Sequence, residues 1–175
     1  MLGTFITESI LLLYVLFRYK ITLFARVASV LIFCLAMFQL SEYQICGNKD
    51  FELWAAVGFT SITFLPVLGY HLISIITEKR KMLVPLYAMT FVVATVVVLS
   101  ESSIVGAVCT ENYLVFIAGN SWWWVYTIFY FGVLLLGIVH GLSYLKKKVH
   151  RLERVNLQST SLCLQILCCF ACLKR

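Results

Sequence analysis

Five long runs of apolar residues, each broken by little more than an occasional Ser, Thr or Gly, limit this chain to very few folds. They cover 2–17, 21–40, 53–77, 82–99 and 122–145. Each is far longer than a β-strand of about five or six residues. None is restricted to one stripe of a helix, as a water-facing helix would be. Runs of this kind are expected to be helices surrounded on all sides by apolar material, and a spanning helix needs roughly 20 such residues. Composition agrees, since 62% of the 175 residues are hydrophobic and 13% charged, against about 45–50% and about 25% in soluble domains. Mean hydropathy is +0.95. The expected fold class is all-α, a polytopic transmembrane bundle of five spans over 1–156. A Cys-rich apolar tail, 157–175, forms either a sixth span or a helix lying flat on the membrane.

The net charge of +6 would suggest nucleic acid in a soluble protein; here its distribution reports topology, and no nucleic-acid partner is expected. Arg18, Lys20 and Arg26 flank the first turnaround, Glu78-Lys79-Arg80-Lys81 separates the third and fourth runs, and Lys146-Lys147-Lys148, Arg151 and Arg154 follow the fifth. With the N-terminus outside, all of these fall on one face, and Lys/Arg excess marks the cytoplasmic side. Glu42, Asp50, Glu52, Glu101 and Glu111 fall opposite. The expected location is the plasma membrane, with anionic lipid at the basic inner face and a homo-oligomer or another membrane protein as candidate partner. Met1-Leu2-Gly3-Thr4 carries no base before the first run, so that run reads as an uncleaved anchor rather than a signal peptide.

Trp122-Trp123-Trp124, Tyr43 and Trp54 lie at the outer boundary, where amphipathic rings favour headgroup depth. Pro66 interrupts the third run and removes one backbone donor, whereas Pro85 sits in a first helical turn, where it costs little.

Cys46 lies in the first outer loop, read as 41–51, and Cys109 in the second, read as 101–121. Both face a compartment in which disulfides persist, so they either bridge or stay as thiols, and the bridge is the expectation. The second loop holds two β-rich apolar stretches, Ile104–Val108 and Tyr113–Ile117, around Cys109-Thr110-Glu111-Asn112. It reads equally as a hairpin or a re-entrant segment.

Ionisable groups at membrane depth are costly and mark candidate function. Arg26 is near enough to the inner boundary to snorkel; Glu8, in the outer half of the first run, is not. His71 and His140 sit at similar inner depth, eight and six residues before Lys79 and Lys146. They either make polar contacts inside the bundle or face each other as a metal, haem or proton-relay pair. Cys163, Cys168, Cys169 and Cys172 form a C-x-x-C only in spacing, with apolar neighbours, and are read as small hydrophobes. No phosphate loop, nucleophile elbow or zinc-protease motif is present, and no metal, cofactor or catalytic residue is assigned.

An N-out chain bridged between its outer loops shares the layout of G-protein-coupled receptors, but Ile76-Thr77-Glu78-Lys79 stands where that family has an acidic-Arg-aromatic triplet. Glu42-Tyr43-Gln44-Ile45-Cys46, with Gly58-Phe59, Ile62-Thr63-Phe64-Leu65-Pro66 and Leu68-Gly69-Tyr70-His71-Leu72, resembles a pattern in uncharacterised bacterial multi-pass membrane proteins. The resemblance covers roughly a third of the chain and implies a polytopic bundle, with no activity. A non-enzymatic sensing, binding or assembly module is the first functional expectation. A small-solute or proton transporter using Glu8, Pro66 and the histidines is the second, and an intramembrane haem or redox protein the third.

Overall fold

A computed structural model of the chain describes residues 2–18, 22–47, 50–99, 104–110, 114–118 and 122–149. Five helices and one hairpin occur among them: α1 (Leu2–Arg18), α2 (Leu23–Cys46), α3 (Phe51–Thr77), α4 (Leu83–Leu99), β1 (Ile104–Cys109), β2 (Leu114–Ala118) and α5 (Trp122–Val149). The tail segment 157–173 with its four cysteines lies outside the described residues. Residues 1–141 form one compact unit and 142–175 a second; of the latter only the last turns of α5 are described.

Three helices, α2, α3 and α5, are long and apolar enough to cross a membrane. The chain is accordingly a membrane protein. At 1.5 Å rise per residue the 27 residues of α3 extend about 40 Å, whereas the 17 of α1 and of α4 extend about 25 Å. The ends of the helices follow local chemistry. The Thr22 hydroxyl caps α2 by accepting from the Ala25 N–H at 3.2 Å. Glu78 stops α3 in the left-handed region at φ 57°.

The turn between α2 and α3 is shorter than its composition suggests. Residues 41–46, read above as loop, continue α2 to Cys46, and Gly47 ends it. Helix persists there because Ser41, Glu42 and Ile45 are buried against partners elsewhere in the chain. The fold is also not purely helical, since β1 and β2 form an antiparallel hairpin. Of the two readings of the segment between α4 and α5, the hairpin is the one observed.

α3 is the central helix, with Phe59, Val67, Leu68 and Tyr70 among its buried residues. Val67 and Tyr70 pack with Leu83 of α4 and with Phe129 and Val133 of α5. Against α2, α3 closes on small residues: a Cβ placed on Gly58 would collide with Ser41 Oγ and lie 3.1 Å from its Cβ. Such close backbone approach supplies much of the attraction between helices that lack a hydrophobic driving force in lipid. Two buried hydroxyls are satisfied within their own helices, Thr63 donating to Phe59 O at 2.6 Å and Thr90 to Leu86 O at 2.7 Å, whereas Ser29 Oγ is buried without a partner. α1 is peripheral, with no buried residue; it is attached to α2 by Thr4 Oγ1 donating to Gln39 Oε1 at 2.8 Å.

Candidate functional site

The end of α2 and the hairpin are joined at two adjacent points. Cys46 and Cys109 are disulfide bonded, with Cα atoms 5.8 Å apart. One helical turn before Cys46, Glu42 Oε1 accepts a hydrogen bond from the Leu114 backbone N–H at 3.4 Å. Cys109 and Leu114 face each other across the hairpin ladder. One turn of helix, through residues i and i+4 that share a face, therefore holds both members of one ladder pair. Glu42 is only 5% exposed.

Apolar packing continues the attachment. Leu114 is buried with Ile45 and Ala55, and Ala107, Phe116, Phe51 and Trp54 surround that cluster. The Phe116 ring meets Phe59 of α3 edge-on at 5.0 Å. Phe59 also contacts Trp123 and Tyr126 of α5, at 5.4 and 5.5 Å, and Trp123 stacks on Tyr126. The Thr63 hydroxyl reaches the Tyr126 hydroxyl at 3.4 Å. An aromatic cluster thus ties the hairpin to α3 and to the first turns of α5.

Glu8 belongs to the same end of the bundle. Its Oε2 is buried without a hydrogen-bond partner, and Thr4, one turn before it, meets Gln39 near the end of α2. In the sequence Glu8 stands out because it interrupts an apolar run. Glu42 does not, because its partner is 72 residues away.

The two histidines are engaged separately. His71 Nδ1 is 2.9 Å from the Tyr87 hydroxyl of α4, with the rings edge-to-face at 5.8 Å. His140 Nε2 is 3.0 Å from Thr77 Oγ1, and its ring packs on Tyr70 at 5.6 Å. Tyr70 and Thr77 lie two turns apart on one face of α3, and His71 projects about 100° round from it. The imidazoles thus serve as polar contacts of α3 with α4 and of α5 with α3. Among the described residues no three His, Cys, Asp or Glu side chains gather in a metal-binding group.

No family model matches the chain, and no curated protein or solved structure is significantly similar to it.

Proposed function

We propose that the chain is a five-span protein of the plasma membrane with its N-terminus outside, working as a non-catalytic binding or assembly module. The clamped hairpin is its working surface. The observation that carries this reading is the double attachment of one ladder pair, Cys109 and Leu114, to Cys46 and Glu42 of α2. A hairpin fixed covalently and packed into the bundle presents a rigid surface, and rigidity lowers the entropy lost on binding.

Geometry supports counting α1 and α4 as spans despite their length. Thr4 at the start of α1 meets Gln39 near the end of α2, so Arg18 lies toward the opposite end. Cys109 follows α4 yet is bonded to Cys46, which precedes α3. The chain therefore travels down α3 and must come back along α4. About 25 Å of helix in a core of about 30 Å is accommodated by slight local thinning of the bilayer and by flanking residues. Arg18, Arg26 and Lys79–Lys81 then share one face, which supports placing that face in the cytoplasm.

A crosslinking amino acid at Thr110, the exposed residue next to the bridge, tests the reading in intact cells. A defined adduct that disappears in Cys46→Ser is expected. A disulfide-bonded, membrane-inserted protein that forms no adduct overturns the binding role. Labelling of Cys46 and Cys109 by an impermeant maleimide only after reduction is expected for the topology; labelling confined to permeabilised cells overturns it.

A further inference from the structure

The hairpin's two faces differ in what covers them. Leu114 and Phe116 of β2, with Ala107 of β1, face α2 and α3. Side chains alternate along a strand, so Val108, Val115 and Ile117 face the other way, and all three are exposed. Val108 and Val115 are direct cross-strand partners. No described residue of the hairpin, 104–110 or 114–118, is charged.

The direction of that outer face follows from α3. Two successive inward residues of β2, Leu114 and Phe116, pack at Ala55 and Phe59 respectively. Those α3 positions are one turn apart, about 6 Å along the axis, and residues i and i+2 of a strand are separated by about 6.6 Å. β2 therefore runs alongside α3, and its outward face points sideways from the bundle rather than along the bundle axis. Depth is set by the same ring. Phe59 touches both Phe116 and Trp123, so the hairpin lies level with the first turn of α5, where Trp124 is 74% exposed. Leu99 at the end of α4 and Val125 and Ile128 of α5 are exposed apolar residues as well.

We propose that the face formed by Val108, Val115 and Ile117 binds the acyl-chain and glycerol region of the bilayer leaflet beside α3 and α5. The hairpin is then a membrane-interface paddle, and lipid is the partner of the surface identified above; the inference rests on that surface being the working one. Its level is the interface and not the hydrocarbon centre, because the outer backbone edges of a two-stranded sheet need water or headgroups as hydrogen-bond partners. An uncharged aliphatic face turned sideways at the depth of a lipid-facing Trp fits this partner, whereas a soluble protein would be met by a face turned along the bundle axis.

The test uses the full chain in phosphatidylcholine nanodiscs, with Cys34, Cys163, Cys168, Cys169 and Cys172 changed to Ser. A fluorophore is attached at Val115→Cys, Ile117→Cys or Thr110→Cys after the native bridge is verified. Lipid carrying a spin label near the top of its acyl chain should quench the probes at 115 and 117 at least twofold more than aqueous iodide does, with the order reversed at 110. Stronger quenching by iodide at both positions overturns lipid binding and leaves the face free for a protein or solute, so the binding role survives. Shielding from both quenchers also overturns it, and points to cover by a second copy. The two labelling sites are independent, so a folding defect in one leaves the readout to the other.

Discussion

Glu42 accepts from the backbone N–H of Leu114 at 3.4 Å, on the same rung of the ladder as the covalent link that Cys46 makes to Cys109. A buried donor left without a partner costs about 1–3 kcal/mol, and at this length the lower end applies. Glu42→Ala is expected to loosen β2 by about 1 kcal/mol, whereas Glu42→Gln retains an acceptor and stays near wild type. Amide hydrogen exchange at Leu114 measures both. Equal protection in Glu42→Ala and the parent would show that the carboxylate does not hold the strand.

The disulfide closes a loop with a sequence separation of 63. Chain entropy sets an upper limit of about 4 kcal/mol for such a loop, and inserted helices lie well below it because they are not a free coil. Cys46→Ser should therefore leave the helices inserted and the protein folded, while the hairpin becomes sensitive to protease near Thr110. Loss of the whole protein from the membrane would mean that the bridge supports insertion as well.

At Gly58 α3 approaches α2 so closely that an added Cβ would collide with Ser41, which is fully buried opposite. Gly58→Ala forces the helices apart, and overpacking of this kind costs typically about 1–3 kcal/mol. Removing the opposing side chain in Gly58→Ala/Ser41→Gly should recover part of that loss, despite the helix-propensity cost of the added glycine. Thermal unfolding in detergent reads out the series. A double variant no better than Gly58→Ala would place the strain elsewhere.

What could be read from the sequence was what depends on runs and counts. The apolar runs at 2–17 and 53–77 coincide closely with the helices α1 and α3, because runs of that length are far too long for strands. Cys46 and Cys109 stood out because the charge pattern placed them on the same face. The continuation of α2 through Glu42 was hidden, because a Ser-Glu-Tyr-Gln sequence looks like loop until the hairpin that buries it is known. Gly58 was legible as a motif residue, and its role was not, since only the position of Ser41 explains why a side chain is excluded there. Tyr87 and Thr77, the partners of the histidines, carried no signal, because one hydroxyl among apolar neighbours looks like any other.

Glu8 of α1 and Glu42 of α2 are acidic groups in adjacent helices, and Glu8 Oε2 is buried without a hydrogen-bond partner, a position that costs a carboxylate more than a neutral amide. Glu8→Gln is therefore expected to hold α1 more firmly, seen as slower exchange of the amides around Thr4 and Glu8. If instead the pair carries protons across the membrane, Glu8→Gln abolishes proton flux in proteoliposomes while the parent conducts. Flux unchanged by Glu8→Gln removes this pair from any such pathway.

His71 and His140 have no hydrogen-bond partner in common, one engaging Tyr87 and the other Thr77. Effects of mutations at sites that share no partner usually add, within about 0.3–0.5 kcal/mol. His71→Phe and His140→Phe keep a ring for the contacts with Tyr87 and Tyr70 and delete only a hydrogen bond each, at about 0.5–1.5 kcal/mol. Their double variant should lose the sum of the two. A cycle of His71→Phe with Tyr87→Phe should not be additive, because those two share one bond. Thermal unfolding of the five variants decides the matter. Strong coupling between His71 and His140, together with a Soret band in the purified parent that is lost in either variant, would restore the facing pair and the haem reading with it.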